Sequence, residues 1–233
     1  MRDFHGGFAA KTALASNTDN GIIIDPTIVD VDALAASVAW LHGSPASCVT
    51  LTEPNPAMLE TMTRLGLVAD NTANEMTQTL HNSNLVAAVP DGYSIVEIHD
   101  DQPELLDLGV EALDWHDPDD RRRRVRVESA FGLGPGSALR RWLAMRHATA
   151  VGLATVFRFD YIVELQRCGI QPAHQRRGLA SALTAVRLHA AVADGACVSV
   201  LSPSPDGYKL HRRLGFTLVR VKPNRWFHVA TTP

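Results

Sequence analysis

The spacing of apolar residues predicts a chain in which helices and strands are interleaved. Apolar residues recur every three or four positions from about Asp30 to Leu41 and again after Gly178, a period typical of helices with one buried face. Further helices are predicted over about 56–65, 103–115, from 117 onward, and over 206–214. Short apolar runs predict strands over about 47–51, 76–80, 93–98, 141–146, 152–159, 161–170 and 196–201, with two more near the C-terminus. This order indicates an α/β or α+β fold.

Turn-forming residues divide the chain into three predicted parts. Residues 1–20 are rich in Gly, Ala, Ser and Asn, and we expect them to form a flexible arm. The stretch from His81 to Gly92 contains Asn, Ser, Pro and Gly and is the best candidate for a domain boundary. The sequence therefore predicts an N-terminal region over 21–90 and a second domain over 91–233.

Composition excludes several functional classes. Hydrophobic residues make up 45% of the chain and charged residues 20%, which is typical of a soluble globular protein. A formal net charge of −3 argues against general nucleic-acid binding, which needs a basic surface. There is no apolar run of membrane-spanning length and no signal-peptide core, so we expect a cytoplasmic protein with no membrane partner. Cys48, Cys168 and Cys197 are too scattered for a disulfide framework or a zinc site, and no metal is expected.

A run of four arginines, Arg121 to Arg124, follows the predicted helix start at Asp117-Pro118-Asp119. One interpretation is a solvated helix face paired with the preceding aspartates. The other is a docking surface for an acidic partner.

The most informative segment joins the strand Tyr161–Ile170 to the helix after Gly178. Between them lie a proline and a short basic turn, so free backbone N–H groups, two arginines and a helix N-terminus meet at one point. Such a point binds a phosphate or pyrophosphate, because the unpaired donors and the positive end of the helix dipole both face the anion. Gly178 has no Cβ and allows close approach, and Ala180 is nearly as small. Neither a Walker motif nor a dinucleotide fingerprint is present.

These residues resemble the GCN5-related N-acetyltransferase (GNAT) superfamily. The family signature Gln/Arg-x-x-Gly-x-Gly/Ala corresponds to Gln175-x-x-Gly178-x-Ala180, five residues after the strand end at Ile170. The stretch from Ser204 to Phe216 is similar to the family's closing helix and its Leu-Gly-Phe. The resemblance covers roughly 93–229 and implies a mixed central sheet flanked by helices, with acetyl-CoA as co-substrate.

The resemblance also implies which residues hold the cofactor. The donor's phosphates would lie on the turn, whose residues are Gln175, Arg176, Arg177, Gly178, Leu179, Ala180 and Ser181. The pantetheine arm would bind unpaired backbone groups of Cys168, Gly169 and Ile170, where Gly169 suits a locally open strand pairing.

Glu164 is the candidate general base. It is the one carboxylate in the predicted strand 161–170, where a part-buried carboxylate suits proton acceptance through water. By resemblance it has the same offset from the Gln-x-x-Gly motif as the family's general-base glutamate. The alternative is surface pairing with Arg167 or Arg158.

The general acid is where the chain departs from the family pattern. The family commonly has a tyrosine four residues before the Gly of Leu-Gly-Phe, and this chain has His211 there. A histidine, with a reference pKa of about 6.5, could donate a proton at neutral pH. Alternatively the role has moved to Tyr208, one helical turn earlier, or has been lost.

The N-terminal region contains an echo of the second domain. Pro56 precedes Arg64-Leu65-Gly66-Leu67 at the spacing at which Pro205 precedes Arg213-Leu214-Gly215-Phe216. Either two helix ends are alike by chance, or residues 21–90 are a degenerate half-GNAT-like region without a phosphate-binding turn.

Four functions follow from the resemblance. The first is acetyl-CoA-dependent N-acetylation of a small-molecule amine, and the second is acetylation of a protein amine. The third is a catalytically silent CoA-binding module. The fourth is an acyltransferase whose donor is an acyl carrier protein docked on the four arginines. The sequence leaves open whether the protein is a homodimer.

Overall fold

A computed structural model describes residues 1–11, 20–44, 46–73, 75–80, 86–113, 118–219 and 224–229. The helices are α1 (Val31–Leu41), α2 (Pro56–Arg64), α3 (Glu104–Ala112), α4 (Pro118–Ser129), α5 (Leu179–Ala193) and α6 (Pro205–Arg213), with a short 3₁₀ turn over Pro172–His174. The strands are β1 (Arg2–Phe4), β2 (Gly7–Ala10), β3 (Gly21–Ile24), β4 (Ser47–Thr50), β5 (Leu67–Ala73), β6 (Met76–Thr79), β7 (Ser94–Glu97), β8 (Leu139–Arg146), β9 (Thr149–Phe159), β10 (Ile162–Ile170), β11 (Val198–Leu201), β12 (Thr217–Leu218) and β13 (Asn224–Val229). The mixed α/β class predicted from the sequence is confirmed.

The chain forms two compact units that do not follow the predicted boundary. The first unit contains residues 1–75 and 219–233, and the second contains 76–218. The division falls before β6 because β6 pairs with β11 of the second unit, whereas β13 pairs with β4 and β5 of the first unit. A boundary within 81–92 is therefore wrong, because long-range strand pairing and not local turn composition decides which sheet a strand joins.

The first unit is a six-stranded sheet with the order β1-β2-β3-β4-β13-β5. Helix α1 begins after Asp30, whose carboxylate accepts hydrogen bonds from the N–H groups of Asp32 and Ala33. The core includes Leu34 and Leu41. The expectation of a flexible arm is wrong for residues 2–10, because backbone hydrogen bonds between β1, β2 and β3 outweigh the weak strand propensity of Gly and Ala. Residues 12–19 lie outside the described part of the chain.

The second unit is a seven-stranded sheet with the order β12-β6-β11-β10-β9-β8-β7. Strands β7 to β10 are antiparallel neighbours, and β10 is parallel to β11. One core cluster joins Leu183 and Leu188 of α5 with strands of this sheet. A second cluster joins Leu106 and Val110 of α3 with Leu153 of β9. The sheet thus has an apolar cluster with α5 and another with α3.

Both units contain the same succession of elements. In the first unit, β3-α1-β4-α2-β5 has two parallel strands joined by a helix, and β10-α5-β11-α6-β12 repeats this order in the second. The strand between β4 and β5 is β13, and the strand between β11 and β12 is β6. Each is antiparallel to both of its neighbours. The shared order agrees with the sequence echo, and the half-GNAT interpretation of residues 21–90 stays a prediction.

None of the helices within the described ranges is long and apolar enough to span a membrane.

Candidate functional site

The turn between β10 and α5 has two residues in the left-handed backbone region. Arg176 has a φ of 60° and Gly178 a φ of 90°. Left-handed residues close together in a turn direct successive N–H groups into one concave surface, which attracts anions. Gln175, predicted as a cofactor residue, instead donates from Nε2 to the carbonyl oxygen of Ile170 at 2.9 Å. Its side chain ties the turn to the end of the strand.

The N–H groups of this turn are free within the described part of the chain. Helix α5 begins after Gly178 without a side-chain cap, and the N–H groups of residues 176–181 have no protein acceptor there. The side chains of Arg176 and Arg177 are exposed, and no ion pair to a described carboxylate involves either one. The turn therefore offers both neutral donors and positive charge to a ligand.

The corresponding turn of the first unit is closed. The Asp30 carboxylate occupies the N-terminal N–H groups of α1, and a negative charge there repels phosphate. Strands β3 and β4 pair along their whole length, and the N–H of Leu51 extends the ladder to the oxygen of Ile24. Both features oppose phosphate binding at this turn.

Strand β10 continues beyond its pairing with β11, which ends at Leu201. The two strands pair only over Ile162–Glu164, although β10 continues to Ile170. A bulge interrupts the pairing of β10 with β9 between Gln166 and Cys168, and the bulged Arg167 has a φ of 36°. The predicted pantetheine residues Cys168, Gly169 and Ile170 lie on this open stretch.

Gly169 has a packing role that the sequence did not indicate. A Cβ at this position would clash with Cδ2 of Leu113, the C-cap residue of α3. A larger residue would therefore displace the Leu113 side chain, and the local irregularity that we expected at Gly169 lies instead at Arg167.

Cys168 is exposed to solvent although it lies on a central strand. Desolvation nevertheless raises the pKa of its thiol, and the nearby positive charge of Arg187 acts in the opposite direction. Because the net effect is upward, the thiol stays protonated at neutral pH and is a poor nucleophile.

Glu164 is half-buried on β10 and accepts a hydrogen bond at Oε2 from Nε2 of Gln166 at 3.1 Å. The surface pairing considered from the sequence does not form. Arg167 bonds to Glu128 at 3.0 Å, and Arg158 donates to the carbonyl oxygen of Asp160 at 2.9 Å. The Glu164 carboxylate therefore keeps an oxygen without a partner among the described residues.

His211 on α6 is buried, with 8% of its surface exposed. Its ring packs edge-on against Phe216 at 5.4 Å between centroids, and its Nδ1 has no hydrogen-bond partner in the described chain. Desolvation, with a smaller contribution from the Arg187 charge, lowers the pKa of His211 to about 4. The imidazole is therefore almost entirely neutral at pH 7, which argues against proton donation by His211, and its role as the acid stays a prediction.

Tyr208 lies one turn before His211 on α6 and is partly buried against the same apolar cluster. Its hydroxyl has no described hydrogen-bond partner. Between His211 and Tyr208, Tyr208 is therefore the residue that can still donate a proton, through its hydroxyl group.

Arginines of the run 121–124 form ion pairs with carboxylates of the second unit, or are buried in it. Arg121 pairs with Asp107 at 3.2 Å and Glu111 at 3.4 Å, and Arg122 pairs with Asp119. Arg124 is 3% exposed, so it does not belong to the solvated face that the sequence suggested.

The sequence did not indicate that Arg187 and Tyr93 contribute to this site. Arg187 lies four residues after Leu183 on the buried face of α5, and the one hint in the sequence was an arginine at a position where the helical period predicts an apolar residue. The Tyr93 hydroxyl lies 2.9 Å from Nδ1 of His174 at the start of the turn. No sequence pattern linked Tyr93 to His174, because they are 81 residues apart. Among the described residues, no group of three metal-ligating side chains is present.

The chain is similar to known acetyltransferases in sequence and in fold. Residues 94–216 match the model of the acetyltransferase (GNAT) family. No curated protein sequence matches the chain. A GCN5-related N-acetyltransferase from Kribbella flavida is 17% identical with a TM-score of 0.69, over 100% of this chain and 90% of that one. A tandem GNAT protein from the clavulanic acid biosynthesis pathway is 14% identical with a TM-score of 0.62, over 98% and 80%. A GCN5-related N-acetyltransferase from Sphaerobacter thermophilus is 14% identical with a TM-score of 0.64, over 95% and 75%.

Proposed function

The chain belongs to the GNAT family of acetyltransferases, and we propose that it transfers the acetyl group of acetyl-CoA to the amine of a small molecule. The observation that carries this proposal is the turn of residues 176–181. Its N–H groups have no acceptor among the described residues, and it has two left-handed residues and two exposed arginines. This arrangement fits a pyrophosphate, because several oriented donors and a helix dipole act on one anion at once.

The open half of β10 gives the donor's pantetheine arm a place to bind. Residues 168–170 lie beyond the last pair with β11, so those of their N–H and C=O groups that face away from β9 are available to the amides of the arm, except the Ile170 carbonyl, which accepts from Gln175. A backbone N–H there can also face the thioester carbonyl, and a positioned donor of this kind contributes about 3 kcal/mol to the transition state. Acetyl-CoA supplies the activated acyl group, and the chain binds and orients it.

Glu164 is the proposed base for the acceptor. Its carboxylate attracts an ammonium group and accepts its proton, directly or through water, before the amine attacks the carbonyl. Gln166 holds one carboxylate oxygen in place and leaves the other to the acceptor. The proposed acid is Tyr208, because His211 is buried and neutral.

Two glycines at the ends of α5 provide a matched test of the cofactor site. Gly178 has a φ of 90° and Gly195 a φ of 88°, so valine is similarly strained at both. A Cβ at Gly178 would meet Cγ of Pro90 at 3.6 Å, and one at Gly195 would meet nothing within 4 Å. We expect Gly178→Val to abolish CoA binding in calorimetry, because its side chain occupies the space of the pyrophosphate. Gly195→Val should bind like wild type. Equal CoA affinity of the two variants would remove the cofactor assignment.

A second function is favoured by one observation. A catalytically silent CoA-binding module would tolerate a buried, neutral His211 at the position of the family's proton donor. Thiol release from acetyl-CoA, measured with a panel of small amines and with peptides, separates the functions. Release with small amines supports the first proposal, and release with peptides alone indicates a protein acceptor. Tight CoA binding without release for any acceptor supports the silent module.

A further inference from the structure

Arg187 is a buried cation without a carboxylate partner among the described residues. It is 1% exposed and, with Arg141, is one of the two largest fully buried side chains of the described residues. Its guanidinium donates to the carbonyl oxygens of Thr155 at 2.8 Å, Gln166 at 3.0 Å and Leu183 at 3.2 Å, and to Oγ1 of Thr184 at 3.2 Å. A buried charge is costly unless hydrogen bonds compensate it, so these four acceptors account for its stability in the core.

Two of these acceptors flank the bulge of β10. Thr155 and Gln166 are opposite each other on β9 and β10, and they form the last regular pair before the pairing shifts. A single nitrogen, Nη1, bonds to both carbonyl oxygens, so the guanidinium joins the two strands where their register changes. A bulge leaves an extra residue unpaired, and a fixed donor of this kind stabilises it against a return to regular pairing.

The bulge determines which backbone N–H and C=O groups of β10 point away from β9 in the stretch that β11 leaves unpaired. Without it, Cys168 would shift by one position against β9, and each following side chain would move to the other face of the sheet. The peptide groups of residues 168–170 would exchange their orientation as well. The position of the bulge thus decides which N–H and C=O groups are available on the side of β11.

We propose that Arg187 is a positioning residue for the donor: it holds the bulge at Gln166–Cys168 and thereby sets the backbone groups that bind the pantetheine arm of CoA. This inference rests on the proposed function. The residue acts from α5, the same helix whose first turn would hold the pyrophosphate, so one helix fixes both ends of the donor site.

The charge of Arg187 extends to the same region. It acts on the thiol of Cys168 and lowers the pKa of His211, so both side chains lie within its electrostatic reach. The guanidinium also bonds to the carbonyl oxygen of Gln166, so it lies at the start of the stretch of β10 that β11 leaves unpaired.

The test compares two ligands in wild type and variants. CoA would contact both the turn and the open strand, whereas 3′-phosphoadenosine 5′-diphosphate keeps the pyrophosphate and lacks the pantetheine arm. We expect Arg187→Met to weaken CoA binding about tenfold or more in calorimetry and to leave the affinity for 3′-phosphoadenosine 5′-diphosphate within about twofold of wild type. Arg187→Lys, which keeps a donor, should recover part of the loss. Thr184→Val has nearly the same shape, removes one acceptor of the guanidinium, and should give a smaller loss of the same kind.

Leu188→Ala is the control for destabilisation, because Leu188 is fully buried on the same helix and is not an acceptor of the guanidinium. In this variant the ratio of the affinities for the two ligands should equal that of wild type. Equal weakening of both ligands in the Arg187 and Thr184 variants, or unchanged CoA affinity, would overturn the inference. If Arg187→Met does not fold, the ligand ratio of Thr184→Val decides. Failure of wild type to bind CoA at all would instead refute the proposed function.

Discussion

Burial of neutral His211 should make the second unit less stable in acid. The unfolded chain has the ordinary histidine pKa of 6.5, and the folded protein has a pKa of about 4 at this residue. Between these values the unfolded state binds more protons, so stability is fully present above pH 6.5 and is lost as the pH falls toward 4. The shift corresponds to about 3 kcal/mol in total, of which about 2 kcal/mol is lost by pH 5.

The measurement is urea unfolding of wild type and His211→Phe at pH 8 and pH 5. Phenylalanine keeps the aromatic packing on Phe216 and removes the titrating group. The free energy of unfolding of wild type relative to the variant should decrease by about 2 kcal/mol from pH 8 to pH 5, because the other titrating groups cancel in the difference. Signals from second-unit residues should be followed, since the two units need not unfold together.

A relative stability that does not change with pH would refute the reasoning. It would mean that His211 is hydrated or has gained a partner that stabilises its charge. The same pKa implies that only about one imidazole in a thousand is protonated at pH 7. If acetyl transfer by His211→Phe nevertheless falls about 10²-fold at pH 7, the proton-donor role returns to His211.

Further predictions concern the reaction and the assembly of the sheets. Glu164→Gln should lower turnover about 10²-fold near pH 7 with little change in the Kd of CoA, and the loss should shrink at high pH; a change in affinity alone would assign Glu164 to binding. Tyr208→Phe should reduce turnover by a comparable factor in steady-state assays, and wild-type turnover would indicate that no side-chain acid is used. Deletion of residues 1–90 should leave a second unit that exchanges its amide protons rapidly, because the deletion removes β6 from the interior of the sheet. Slow exchange in that fragment would show that β6 is dispensable.

The sequence alone determined the part of the site that depends on local geometry. A strand, a proline, a glycine in a basic turn and an apolar-period helix predicted the N-terminus of α5, because these features act over a few neighbouring residues. Gln175, Gly178 and Ala180 carried the resemblance to the family that the chain belongs to. The mixed α/β class followed from the alternation of helix-like and strand-like spacings of apolar residues, which are also local features.

Only the tertiary structure decided which strand completes which sheet. β6 and β13 have no local signal for their partners, because antiparallel pairing is specified by packing and register between distant segments. For this reason the predicted flexible arm and the predicted domain boundary differ from the observed sheets and units. The protonation state of His211 was equally hidden, since it depends on desolvation and on Arg187, 24 positions earlier in the chain. The bulge that Arg187 holds depends on contacts among α5, β9 and β10, which the sequence does not place together.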